Sequence, residues 1–277
     1  MTGAITSYID VAQLVLYAFW IFFAGLIFYL RREDRREGYP LEADLPDRYK
    51  SLPGPQLLPL IPEPKTFLLA HGGTATAPNS KLDRRKILAE RVAIWPGAPL
   101  QPTGDPMRDA VGPAAYVERQ EEPERTLDGE PMIVPLRVAS DHFIEPRDPD
   151  PRGMEVLGAD SQLAGVVRDV WVDRAEPQIR YLEVELPAPP AGTHEGDGEA
   201  GTVAAIGAAR VLLPIGFARI DRWQRRVRVR SILAAQFAHV PGLKAPDVVT
   251  KREEDRICAY YAGGHLYATP DRLEPLL

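Results

Sequence analysis

The sequence predicts one N-terminal membrane-spanning helix, a mainly-β domain of the small antiparallel barrel or sandwich class, and a short C-terminal helix. Three observations predict it. Val11–Leu30 is a run of 20 residues without a charged side chain. Between residues 132 and 230, short apolar–polar alternating segments recur with turn residues between them. Thr250–Ala262 opens with helix-start signals and runs into two glycines, Gly263 and Gly264.

The apolar run is long enough for a span. At about 1.5 Å per residue it covers roughly 30 Å, the thickness of a bilayer's hydrocarbon core. Gln13 is its one strongly polar residue, close to one end, and the rest is apolar on every face. A cleaved leader would begin with a basic segment and end at small residues. Nothing basic precedes Asp10, and the run ends in Tyr29-Leu30-Arg31-Arg32. Residues 1–10 hold no Lys or Arg, whereas Arg31, Arg32, Arg35 and Arg36 follow the run, so the C-terminal side is expected in the cytoplasm. Residues 1–10 are then an outer tail and 11–31 the span. Arg31, Arg32, Arg35, Arg36 and Tyr39 are expected at the membrane interface, with Tyr8, Tyr17 and Tyr29 as aromatic anchors.

Residues 32–131 read as an extended, proline-rich surface strap. The chain holds 28 prolines in 277 residues, about twice the usual share. Seven of them fall between Gly38 and Pro64, a spacing that forbids helix. Interleaved apolar residues such as Leu57, Leu58, Leu60, Ile61 and Phe67 suggest a segment laid on a surface rather than a spacer. Residues 72–135 alternate Gly, Pro and short apolar pieces, with turns at Gly104-Asp105-Pro106 and Gly112-Pro113 and no long helix.

The β domain is expected over 132–249, with strands at 132–138, 164–173, 179–186, 210–215 and 226–230. The Gly/Pro/Glu-rich stretch 187–202 reads as a loop inserted between two of them. Residues 250–277 form the C-terminal helix and tail. Thr250 is the N-cap, Glu253 completes a capping box, and Gly263-Gly264 is the expected stop.

Charge and composition exclude several function classes. The 33 basic and 39 acidic residues give a net charge of −6, which argues against binding nucleic acid by phosphate neutralisation. One cysteine, Cys258, excludes an intramolecular disulfide. None of the five histidines is spaced as a metal pair, and no phosphate loop or nucleophile elbow occurs, so neither enzyme activity nor a metal site is expected from this chain alone. Two charged clusters stand out. Asp169, Asp173, Glu176, Arg180, Glu183 and Glu185 surround the strands at 164–186. As solvated surface charges they would do little; crowded together, such carboxylates exchange protons near neutral pH. Arg222, Arg225, Arg226, Arg228 and Arg230 form a basic segment, read as a solvated face or as a contact for anionic lipid headgroups or an acidic partner.

Several ordered motifs carry a resemblance. They include Phe19-Trp20-Ile21-Phe22-Phe23-Ala24-Gly25, Arg35-Arg36-Glu37-Gly38-Tyr39-Pro40, Gly104-Asp105-Pro106-Met107, Asp169-Val170-Trp171-Val172-Asp173, Tyr181-Leu182-Glu183-Val184-Glu185 and Glu253-Glu254-Asp255-Arg256-Ile257-Cys258. Together they closely resemble the H subunit of the photosynthetic reaction centre of purple bacteria, over nearly the whole chain apart from roughly 78–98 and 187–202. The resemblance implies one membrane helix, an extended strap, and a cytoplasmic PRC-type antiparallel β-barrel with a C-terminal helix. It implies a single-pass protein of the intracytoplasmic photosynthetic inner membrane, N-terminus periplasmic and bulk cytoplasmic. Its implied partners are subunits L and M, a cytochrome subunit, the light-harvesting antenna and membrane lipids. The chain itself would bind no cofactor. The assembled complex would hold bacteriochlorophyll, bacteriopheophytin, quinones, non-haem iron and carotenoid.

The implied role is to cap L and M, shield the secondary quinone site and conduct protons to it. By the same resemblance the proton-transfer residues fall at Asp173, Glu176, Arg180, Asp128 and His71. Some members carry two histidines after the Leu-Asp-Gly motif, which can bind inhibitory zinc. Here the matching positions are Glu130 and Met132, so Asp128 with Glu130 is expected to form a carboxylate inlet instead. A membrane-tethered PRC-barrel adaptor unrelated to photosynthesis is the alternative.

Overall fold

The computed structural model of the chain describes residues 10–36, 62–70, 72–79, 83, 85–95, 97–187 and 209–273. The chain divides into two compact units, Met1–Arg85 with Ile94–Ala98 and Lys86–Ala93 with Pro99–Leu277. Most of the proline-rich stretch 38–64 and of the insert 187–202 lies outside the described residues, as do Tyr8, Tyr39 and His71.

In the first unit, helix α1 spans Val11–Glu33, two residues beyond the expected Arg31, and continues as a 3-10 turn over Asp34–Arg36. Asp10 caps it: its carboxylate accepts from the Gln13 amide at 2.8 Å, and the Gln13 side chain accepts from the Asp10 amide at 3.3 Å. This is a capping box with Gln in the third position. None of the helix's side chains is buried within the chain, as suits a helix solvated by lipid. Strands β1 (Lys65–Leu68) and β2 (Thr74–Ala77) form an antiparallel hairpin in the stretch expected to be a plain strap.

Arg36 knots this unit together. Its guanidinium grips Glu33 through two bonds of 2.7 and 3.1 Å and donates to the carbonyls of Glu63 and Ala77. Lys65 reaches the same Glu33 carboxylate at 2.8 Å. A bidentate arginine–carboxylate pair of this kind fixes direction as well as charge.

The second unit begins with a small hairpin, β3 (Ala89–Arg91) and β4 (Leu100–Pro102). A 3-10 turn follows at Gly112–Ala114. Strands β5 (Ile133–Pro135), β6 (Glu155–Leu157), β7 (Leu163–Asp173), β8 (Gln178–Glu185), β9 (Arg210–Pro214), β10 (Ala218–Asp221) and β11 (Arg226–Val229) make one sheet. Its order is β10-β11-β6-β7-β8-β9, with β5 also pairing β7. The pairings are antiparallel as expected, except that β11 runs parallel to β6. The strand expected over 132–138 is shorter, and β6 and β10 were not expected, being only three and four residues long.

The sheet has to curl. Five strand spacings separate β9 from β10, about 24 Å if the sheet were flat. Yet the chain passes from Pro214 to Ala218 through the single 3-10 turn Ile215–Phe217, a reach of at most about 14 Å. Only a sheet bent round on itself brings those two edges that close, which is the barrel architecture. Among the described residues the two edges are not hydrogen-bonded to each other. Val167, Val170, Trp171, Leu182, Val184, Leu212 and Leu213 fill the core. The second half of β7 is buried at every residue from Val170 to Asp173, because both of its faces are covered.

Helix α2 runs Lys251–Tyr267, with the expected capping box at Thr250 and Glu253. Gly263 and Gly264 do not stop it; they lie inside it. Their role is close approach. A Cβ on Gly263 would sit 2.6 Å from Ala114 Cβ, and one on Gly264 would meet the Ile232 side chain and sit 2.5 Å from the Ser231 carbonyl oxygen. The two glycines let the helix backbone lie directly on the Gly112–Ala114 turn and on the segment after β11.

Candidate functional site

Two register shifts interrupt β7 against β8, one between Val167 and Asp169 and one between Trp171 and Val172. Such bulges re-aim side chains. The first leaves Asp169 directly opposite Glu183, so two buried carboxylates face each other across the ladder, 7% and 3% exposed. Like charges in that position repel, and three cationic or donor groups offset them. Arg137, just beyond β5, donates from Nη1 to Asp169 at 2.9 Å and to Glu183 at 2.7 Å. Arg210 of β9 donates to the other Glu183 oxygen at 3.0 Å, and the Trp171 indole N–H donates to Glu183 at 3.0 Å. The far side of the Arg137 guanidinium binds Asp247 at 2.7 Å and the Pro246 carbonyl at 3.0 Å. Arg168, displaced by the bulge, grips Glu185 through two bonds of 2.7 Å.

Burial works against the Arg137 charge, but the hydrogen bonds and charges of Glu183, Asp169 and Asp247 outweigh it, and its pKa is raised above the usual arginine value. The Arg168 guanidinium holds Glu185 below the usual carboxylate range. A cavity of about 150 Å³ lies against this network, lined by Arg137, Trp171, Glu183 and Arg210 with Val211, Leu212, Leu243 and Pro246. The sequence pattern marked Asp169, Glu183 and Glu185. It missed Arg137, Arg210 and Asp247, of which Arg137 and Asp247 stand 110 residues apart in the chain.

The β7–β8 turn holds the next group. Asp173 is buried, 5% exposed, and its Oδ1 accepts from the amides of Ala175 at 3.0 Å and Glu176 at 3.1 Å. Glu176 itself is exposed and receives a hydrogen bond from Gln178 at 3.1 Å. The turn thus places a buried carboxylate and an exposed one three residues apart, joined through one peptide amide.

Arg180 points elsewhere. It has no ion-pair partner among the described residues, and its charge acts on Glu254 and Cys258 of α2. Glu254 accepts from the Tyr181 hydroxyl at 2.8 Å. Burial pushes the Glu254 carboxyl up, and the Tyr181 hydrogen bond and the Arg180 charge only partly reverse this. Asp128 and Glu130 occupy an exposed tight turn closed by Thr126–Glu130 and Gly129–Thr126 backbone bonds of 2.8 and 2.9 Å. Gly129, at φ +86°, provides the left-handed residue this turn requires. Arg31, Arg32 and Arg35 remain at least partly exposed around the end of α1, while Arg36 is turned inward on Glu33. Among the described residues no cluster of His, Cys, Asp and Glu is arranged to hold a metal ion.

Two family models match the chain in order. One, described as photosynthetic reaction centre, H-chain N-terminal region, matches residues 3–138. The other, described as PRC-barrel domain, matches residues 145–236. The chain belongs to the reaction-centre H-chain family. An H chain is a structural subunit of a pigment-bearing complex, and with one long apolar helix among its described residues this one is a single-pass membrane protein. The match also frames the ionic network. Arg137 belongs to the H-chain N-terminal region and Asp169, Glu183 and Arg210 to the barrel, so the network joins the two matched regions inside one compact unit.

Proposed function

We propose that this H chain caps the cytoplasmic face of subunits L and M, shields the secondary quinone site from water, and carries protons to it as quinone is reduced to quinol. The pigments, quinones and iron of the complex are then held by the other chains. The observation that carries the proton-transfer part is the β7–β8 turn, where exposed Glu176 and buried Asp173 share a peptide amide. A proton collected at the surface by Glu176 has a second carboxylate within one turn toward the interior. Asp128 and Glu130, exposed together on one tight turn, act as a collecting inlet. On this reading the N-terminus is periplasmic and the barrel cytoplasmic, in line with the four arginines that follow the span.

The experiment is purification from membranes through a tag on this chain. The expected result is a pigmented complex absorbing in the near infrared, in which flash-induced proton uptake accompanies the second electron transfer to quinone. A colourless protein isolated without other subunits would overturn the reading in favour of a membrane-tethered adaptor.

A further inference from the structure

The β10–β11 hairpin carries six arginines between residues 219 and 230 and one acid, Asp221, on a chain whose net charge is −6. The register sharpens this. Arg219 lies directly opposite Arg228, and Asp221 opposite Arg226. Val227 and Val229 face the core while Arg226, Arg228 and Arg230 stand on the outer face. Two like charges directly across a ladder destabilise it, and no carboxylate among the described residues pairs with either Arg219 or Arg228; Arg228 finds only the Gln224 amide oxygen at 2.7 Å. The acids at hand are already engaged. Asp221 accepts from the Trp223 and Gln224 amides at 3.0 Å each, and Glu155 pairs with Arg226 at 3.3 Å.

The tip adds an aromatic group. Trp223 is 83% exposed, and the Arg222 guanidinium stacks 4.4 Å above its ring. Arg225 holds the tip in shape at φ +51°, an unusual conformation for a residue with a side chain. A tip that presents an exposed tryptophan among arginines, two of which form no ion pair among the described residues, has the chemistry of the bilayer headgroup layer, where indole rings settle and anionic lipids gather basic groups. The chain supplies that surface itself through its own membrane anchor.

We propose that the β10–β11 hairpin is a docking surface for anionic phospholipid headgroups, with Arg219 and Arg228 taking the phosphates and Trp223 seated in the interfacial layer. It is a second point of membrane attachment, separate from α1 and from the carboxylate groups of the proton-transfer site.

The test is hydrogen exchange of the peptide 219–230 in the intact complex, held in nanodiscs of phosphatidylcholine alone or of equal parts phosphatidylcholine and phosphatidylglycerol. The expected result is exchange slowed about threefold or more in the anionic discs, with the effect lost on raising salt. The double substitution Arg219→Gln with Arg228→Gln should abolish the lipid dependence, and Trp223→Ala should weaken it. Equal exchange of the wild-type peptide in the two lipids would overturn the proposal, whether or not the variants fold. Slow exchange in both lipids that speeds up when neighbouring subunits are stripped away would also overturn it, and would assign the face to an acidic polypeptide.

Discussion

Arg137 and Glu183 meet at 2.7 Å at the edge of the barrel core, one from the segment after β5 and the other from β8, 46 residues apart in the chain. The pair holds two facing carboxylates in a place where they would otherwise repel. Removing Arg137 leaves the buried Glu183 and Asp169 without their shared cation, a loss that solvent softens because the Arg137 side chain is 37% exposed. Arg137→Ala is therefore expected to destabilise the barrel by about 1–3 kcal/mol, the cost of leaving buried acceptors without their donor, read as a lowered urea midpoint of the solubilised protein. Arg137→Met combined with Glu183→Gln should cost less than the sum of the two single changes.

Gly264→Ala sets two effects against each other. Alanine favours a helix over glycine by about 1 kcal/mol. The new methyl would meet the Ile232 side chain and stand 2.5 Å from the Ser231 carbonyl oxygen, an overpacking expected to cost about 1–3 kcal/mol. The steric effect should win, and thermal unfolding should show a lower Tm.

Glu176→Gln keeps the size and the Gln178 contact but removes the exchangeable proton. The second, proton-coupled electron transfer should slow, while the first electron transfer and quinone occupancy stay as in the wild type. Flash kinetics over a pH series separate the two steps, and unchanged second-step kinetics would reduce Glu176 to a surface carboxylate.

Asp128→Asn with Glu130→Gln tests the inlet. Both residues are exposed on a turn whose geometry rests on backbone bonds and Gly129, so folding should be unaffected. Proton uptake measured with a pH dye should slow in the double variant.

Glu254 and Glu185 contribute to stability with opposite pH dependence. The Glu254 pKa is raised in the folded state, mainly by burial, so its ionised form costs stability, and that cost is relieved as pH falls through its folded pKa. Glu185 is depressed by Arg168, so its contribution is present above the unfolded carboxylate pKa and lost as pH falls through its folded value. Glu254→Gln, which still offers an oxygen to the Tyr181 hydroxyl, should raise Tm at neutral pH and have little effect at pH values where Glu254 is already protonated. Melting curves across the acid range would show the difference closing.

What the sequence reveals and what it conceals follow from how local each cause is. Helix α1 was legible because a charge-free run closed by four arginines is a local signal, and the Thr250–Glu253 capping box because its parts lie three residues apart. Strand β8 showed itself through alternation. The parallel pairing of β11 with β6 did not, since β6 is three residues long and pairing partners leave no mark within a strand. Gly263 and Gly264 were misread as a stop because the same residue type serves a helix end and a close backbone approach, and only Ala114 and Ser231 distinguish the two. The acidic half of the ionic network was visible as a cluster. Its basic half was not, because Arg137 and Arg210 are brought in by the folding of other strands.

The boundary between the two family matches, between residues 138 and 145, is not a seam at which the molecule can be parted. A fragment beginning at 145 would lack Arg137 and leave Asp169 facing Glu183 unbridged, and it would strip Ala114 from the glycine face of α2. The two matched regions are thus coupled through Arg137 and Ala114. A chimaera that grafts the first region of one H chain onto the barrel of another is expected to keep these two contacts where the donor brings an arginine at position 137 and a small residue at 114.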